Sequence, residues 1–160
     1  MKVISIDPGS ERSAFLIYET TERMILFAEI MDNEEILQRL AESGKLLPFK
    51  REDTLLAIEM IQSFGMPVGK EVFETIFWVG RFVQEWSRYG KYKLIYRRDI
   101  KLHFCNSVRA KDSNIRAVLK DKFAGRNLRK EGIVKDLWSS LAIAVFISET
   151  EEAKPDESGP

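Results

Sequence analysis

The amino-acid sequence predicts an α/β domain in which a mixed five-stranded sheet is flanked by helices. Three observations lead there. The chain opens on a short β-branched apolar run, Val3-Ile4-Ser5-Ile6, cut off by Asp7-Pro8-Gly9. Two further strand patterns follow at once, joined by short turns. Beyond residue 32, helical and strand patterns alternate.

Taken in order, Arg12 to Glu19 alternates Ala14, Leu16 and Tyr18 against Phe15 and Ile17 and reads as a second strand. Thr20-Thr21-Glu22 turns the chain into a third, Arg23 to Ile30, so the opening is an antiparallel meander. Asp32 or Asn33 caps a helix carrying Ile36, Leu37 and Leu40, with Glu34 and Glu35 in its first turn and Gly44 at its end. Lys50 to Asp53 is a charged loop. Thr54 to Ile61 is a fourth strand, apolar along most of its length and therefore central in the sheet. Lys70 to Tyr89 reads as a helix of about 30 Å at 1.5 Å per residue. Its apolar residues, among them Phe73, Phe77, Trp78, Phe82, Val83 and Trp86, cover more than one face. A second apolar face on so small a domain predicts a homodimer, with Phe73, Phe77 and Val83 at the interface. Tyr92 to Tyr96 is a fifth strand, and Arg97 to Asn106 fits no element firmly. Ser113 to Phe123 is an amphipathic helix with Ile115, Val118, Leu119 and Phe123 inward, and 125–132 is a basic loop bearing Arg126, Arg129 and Lys130. Val134 to Ser148 is the last helix, packing through Leu137, Leu141, Ala142, Ala144 and Val145. The domain thus spans 1–148, and the acidic segment 149–160 reads as a disordered tail.

Composition narrows the chemistry. With 44% apolar and 31% charged residues the chain has the make-up of a soluble globular protein, with neither a membrane-spanning run nor a signal peptide. A single cysteine, Cys105, excludes an internal disulfide and favours a cytoplasmic address. A single histidine, His103, argues against zinc and against a Ser-His-Asp triad, so a metal here is held by oxygen. The net charge of zero hides an uneven distribution. Residues 1–80 carry 8 Lys/Arg against 14 Asp/Glu, residues 81–135 carry 16 against 5, and residues 136–160 carry 1 against 6. A basic segment beside acidic ones is the pattern of a phosphate-binding face.

Three acids stand out by position. Asp7 ends the first strand before a turn whose Gly9 leaves room for a ligand, although Asp-Pro-Gly is also ordinary turn chemistry. Glu59 interrupts the apolar fourth strand near its C-terminal end, where an uncompensated carboxylate costs several kcal/mol, on the order set by desolvation. Asp136 sits in the first turn of the last helix, favoured there by the helix dipole. Acids at the ends of the first and fourth strands and at the start of a terminal helix can converge on one edge of such a sheet. Clustered carboxylates raise one another's pKa and call for a hard divalent cation, and two Mg²⁺ ions about 3.5–4 Å apart can activate a water against a phosphodiester.

The element order is that of the ribonuclease H-like fold. With Ile6-Asp7-Pro8-Gly9-Ser10, Ala57-Ile58-Glu59 and Lys135-Asp136-Leu137-Trp138-Ser139-Ser140-Leu141-Ala142-Ile143-Ala144, the sequence resembles the RuvC-type Holliday junction resolvases, especially small phage and prophage ones, over residues 1 to about 148. The resemblance implies an Mg²⁺-dependent (or Mn²⁺-dependent) homodimer with two ions per site that nicks a four-way DNA junction in pairs, in the cytoplasm of a bacterial or phage-infected cell and without a small-molecule cofactor. It implies that Asp7, Glu59 and Asp136 are metal ligands. Ser139 stands where bacterial members place a further acid, three residues past Asp136 on the same helical face. Lys101 and Lys111 resemble the basic residues that the family sets near the scissile phosphate, so Lys111 joins the three acids as a catalytic candidate. Arg109 and the basic loop supply further DNA contacts. Gln62 occupies the position of a family aromatic, with Phe64 two residues on. Phe64 and Met66, in the loop after Glu59, either wedge between base steps at a junction centre or staple the following helix.

Other readings stay open. The same fold serves ribonucleases and replication-linked nucleases, and a chain lacking the fourth acid could bind branched DNA with little or no catalysis. An actin-like ATPase also opens on a strand and an Asp-x-Gly turn, but it closes two such domains around its nucleotide, and this chain has room for one.

Overall fold

The first strand, β1 (Lys2–Asp7), ends at Pro8, which has no N–H with which to continue a ladder. β2 (Arg12–Glu19) and β3 (Met24–Asp32) fold back antiparallel, Ile6 opposite Phe15 and Leu16 opposite Ala28, which is the predicted meander. β4 (Thr54–Met60) and β5 (Lys91–Tyr96) then add in parallel on the other side of β1. The order is β3-β2-β1-β4-β5, so β1 and β4 are both central strands. This computed structural model describes residues 1–42, 51–63, 65, 67–88 and 90–152.

Side-chain alternation divides the core into two layers. On one face, Ile4, Ile6, Phe15, Leu56 and Ile58 pack beneath α1 (Asn33–Ala41) and α2 (Lys70–Trp86). On the other, Val3, Ala14, Leu16, Leu55 and Ala57 meet α3 (Arg97–Cys105), α4 (Asp112–Lys122) and α5 (Leu137–Glu152). Small residues let α5 settle on β1, β2 and β4, and α3 and α4 cover it from outside. It is therefore buried nearly all round, at Ser140, Leu141, Ala142, Ile143, Ala144, Val145 and Ile147 among others, and is a central element rather than a flanking one.

Several boundaries differ from expectation. The unassigned stretch after β5 is α3, closed by Asn106 in the left-handed region at φ 51°. Only Ile100 and Phe104 of this helix are buried, four residues apart, so its charged sequence hides the helical period. α2 stops at Trp86 and buries a single stripe of Thr75, Val79, Phe82 and Trp86. α5 runs on to Glu152, four residues beyond Ser148, anchored by a Lys93–Glu151 ion pair and by Glu149, which accepts from Lys122 at 2.7 Å and meets His103 at 2.6 Å. The segment 51–53, expected as a loop, forms a short 3₁₀ turn. Gly44, the expected end of the first helix, lies outside the described residues, as do residues 153–160 of the predicted tail.

The turn after β1 is locked from within. A β-carbon on Gly9 would lie 2.3 Å from the carbonyl oxygen of Arg12, so glycine serves the chain's own closure here rather than a ligand's approach. Buried Asn33 donates from Nδ2 to the Gly9 carbonyl at 2.9 Å and accepts from Ser13 Oγ at 2.6 Å. Ser13 Oγ in turn accepts from the Gly9 N–H at 3.1 Å. The end of β1 is thus held in a set place.

Candidate active site

Asp7 and Glu59 are brought together by strand register. Val3 faces the layer covered by α5, as do Leu55 and Ala57, and the two-residue period puts Asp7 and Glu59 on that same face. Ser5 lies beside Ala57 and Ile6 beside Ile58, so the two acids come one step later on adjacent parallel strands. Both are at the carboxyl ends of their strands, the edge at which α/β sheets gather their sites.

α5 supplies the third side. The carbonyl of Asp136 accepts from the N–H groups of Ser139 at 2.9 Å and Ser140 at 3.3 Å, so Asp136 stands at the helix boundary rather than inside its first turn. Lys135 just before it has a φ of 46°, the left-handed region, which swings the chain into the helix. Two serines tie this boundary to the sheet. Fully buried Ser140 accepts from the Asp7 N–H at 3.2 Å and donates to the Ala14 carbonyl at 2.9 Å, joining β1, β2 and α5 at one hydroxyl. Ser139 hydrogen-bonds the Asp7 carboxylate.

A guanidinium occupies the middle of the site. Arg97, the first residue of α3, donates from Nη1 to Glu59 Oε2 at 3.1 Å and from Nη2 to Ser139 Oγ at 3.2 Å. Nη2 also lies 2.9 Å from Asp112 Oδ1 on α4. A small cleft lined by Arg97, Asp112, Arg116, Lys135, Asp136 and Ser139 opens beside these groups. Residue type does not single out Arg97 within its charged run, but its place does: it follows β5 at the same strand-end edge as Asp7 and Glu59.

Burial and like charge set the electrostatics. Desolvation, with repulsion from Glu59 and Asp136, pushes Asp7 up from 3.8 to about 7, against the opposing pull of Arg97 and the Ser139 hydrogen bond. Desolvation also raises Glu59, helped by Asp112 and opposed by Arg97 and Lys101.

The basic candidates fall in different places. Lys101 lies on α3 with its charge felt by Glu59, in a groove shared with Arg97, Arg98 and Val108. Lys111 is exposed at the N-terminal boundary of α4, next to Asp112, its N–H donating to Asn114 Oδ1 at 2.9 Å. Arg109, Arg129 and Lys130 are exposed. Arg126 is committed to the fold: it pairs with Glu131, donates to the Arg23 carbonyl and lies 5.0 Å over the Phe123 ring. Phe73 and Phe77 stand open on α2, whereas Val83 is half-buried against the core beneath that helix. Phe64 and Met66 lie outside the described residues.

Mg²⁺ is satisfied by one or two carboxylates and several waters, so Asp7 and Asp136 are the residues that could hold one. Glu59 already has a cationic partner, and among the described residues no group of three or more His, Cys, Asp or Glu side chains is placed to hold one ion.

Strand order, connectivity and the acids at one sheet edge define a ribonuclease H-like α/β fold. Within that class the chain is similar to RuvC from Thermus thermophilus, with a TM-score of 0.70 and 15% identity over 97% of this chain and 99% of that one. The same figures hold for T. thermophilus RuvC in complex with a Holliday junction substrate. No protein-family model matches the chain, and no curated protein sequence does. The likeness is one of fold, and it bears out the predicted architecture.

The raised Asp7 has a signed consequence for stability. Below pH 3.8 the carboxyl is protonated both folded and unfolded; between 3.8 and about 7 only the unfolded chain ionises, so the folded state loses stability as pH rises through that window. Asp7→Asn removes the loss. In metal-free buffer the variant should melt several degrees above wild type at pH 8 and within a degree of it near pH 3.5. Equal melting temperatures at pH 8 would show that Asp7 bears no such burden.

Proposed function

We propose that this chain is a structure-selective DNA endonuclease that acts on four-way junctions as a homodimer. The observation that carries the reading is the meeting of Asp7, Glu59 and Asp136 at one sheet edge, in a fold shared along 97% of the chain with a protein solved on a Holliday junction. Half-buried Asp7 and Glu59, with exposed Asp136 acting on Asp7, are poised to take up a dication and release protons. Mg²⁺ or Mn²⁺ bound beside Asp7 and Asp136 would supply an acidified water and neutralise charge on a phosphate oxygen. The chain's own residues prepare that site. Ser140 fixes the backbone of Asp7 and Ser139 its carboxylate, so little reorganisation is left for the reaction. Exposed Arg98, Lys111, Arg116, Lys120, Arg129 and Lys130 spread positive charge around the cleft for the phosphates of the arms.

The homodimer rests on α2. Phe73 and Phe77 are 61% and 65% exposed and Ile76 is 37% exposed, a continuous apolar strip opposite the buried stripe. Gly80 continues it with open space where a side chain would be, so a second helix can approach closely there. A glycine in an exposed helix costs about 1 kcal/mol relative to alanine, which a close crossing would offset. A second copy of this strip is the partner the surface fits, through a two-fold axis.

Two tests follow. Purified protein with Mg²⁺ should nick a four-way junction in preference to flap, linear duplex or RNA–DNA hybrid, and Asp7→Asn should lower nicking by at least 10²-fold with junction affinity kept within a few-fold. Preferred cleavage of the hybrid would favour a ribonuclease, and tight junction binding without nicking would make the chain a binding module. Phe77→Asp should convert dimer to monomer in sedimentation at unchanged melting temperature, because Phe77 takes no part in the core. A persistent dimer would move the interface off α2.

A further inference from the structure

Arg97 is clamped rather than merely near the acids. Its guanidinium bridges three elements, touching Glu59 on β4 at 3.1 Å, Ser139 on α5 at 3.2 Å and Asp112 on α4 at 2.9 Å. Its backbone is fixed at the start of α3, directly after β5. Only 26% of the side chain is exposed, and Glu59 is less exposed still at 17%, so the pair is largely removed from solvent screening. Ser139 is neutral and brings no charge to hold a further dication. Nη1 donates to Glu59 and Nη2 to Ser139, with Asp112 Oδ1 paired by charge at 2.9 Å, whereas Nε donates to no acceptor among the described residues. Arg97 also lines the cleft beside Asp136.

We propose that Arg97 is a built-in cation of the site: its guanidinium stands at Glu59 in place of a second divalent ion, so that one ion per protomer suffices. This deepens the nuclease reading and rests on it. The guanidinium keeps a directed donor, Nε–H, for an oxygen of the bound phosphodiester while its other nitrogens hold Glu59 and Ser139, a division that a point charge cannot make. Glu59 becomes the residue that positions Arg97, while Asp7 and Asp136 keep the metal.

The test counts metal without needing turnover. Full-length protein is titrated with Mn²⁺ in the absence of DNA, free Mn²⁺ being read by electron paramagnetic resonance. Wild type should saturate at one Mn²⁺ per protomer, Arg97→Lys at one, and Arg97→Gln at two, since loss of the positive charge opens Glu59 to a second ion. Gln keeps a donor for Glu59, and circular dichroism and metal-free melting report whether each variant is folded; Arg97→Ala repeats the measurement without the donor. Two ions in wild type, or one in folded Arg97→Gln and Arg97→Ala, would overturn the inference while junction nicking by the same wild-type sample left the nuclease reading standing. No bound Mn²⁺ and no nicking in wild type would instead bring down the nuclease reading, and this inference with it.

Discussion

Two carboxylates held side by side in a poorly solvated sheet edge are the constraint around which this molecule is arranged. Register makes Asp7 and Glu59 neighbours, and neither can move without slipping a central strand by a residue and exchanging its side chains between the two packed layers. Removing a carboxylate from water costs several kcal/mol after relaxation, and two unit charges about 4 Å apart interact with roughly 4 kcal/mol at an effective dielectric near 20. Stability of a domain is of the same order, about 5–15 kcal/mol. The acids must therefore be protonated, paired or metal-bound: burial and like charge push Asp7 up to about 7, toward the protonated form, and Glu59 is paired with Arg97.

Much of the surrounding architecture serves to hold that arrangement still. Ser140 anchors Asp7 from the α5 side, and Asn33 with Ser13 and Gly9 anchors the following turn from the α1 side. α5 can reach the sheet closely because Ala142 and Ala144 are small, and this proximity is what brings Ser139 to the Asp7 carboxylate. The opposite layer, under α1 and α2, is a conventional apolar core closed by Trp86, whose indole donates to the Lys91 carbonyl at 2.9 Å. The two faces thereby differ in character: the α5 face carries the acids, and the outer strip of α2 carries the exposed aromatics.

The sequence was most legible where one physical period dominates. β1, β2 and β4 are apolar runs bounded by turn or charged residues, so their places and the strand-end positions of Asp7 and Glu59 could be read directly. α3 could not, because its buried pair, Ile100 and Phe104, is set among Arg97, Arg98, Asp99, Lys101 and His103. Arg97 was hidden by the same charge run, since nothing in composition separates a clamped guanidinium from a solvated one. Arg126 shows the converse: a basic loop residue counted toward DNA is held by Glu131 and the Arg23 carbonyl, partners brought near only by tertiary structure. Aromatic α2 announced two apolar faces, but which one is buried depends on Thr75, a polar residue in the core stripe.

Asp7 sits in an environment hostile to its own charge. Carbon-13 detected titration of the Asp7 carboxyl in metal-free wild-type protein measures this directly. A midpoint near 7 is predicted, from burial and the neighbouring Glu59 and Asp136. A midpoint near the ordinary 3.8 would contradict it, and would mean that the carboxylate is solvated and that the acidic edge is a surface rather than a site.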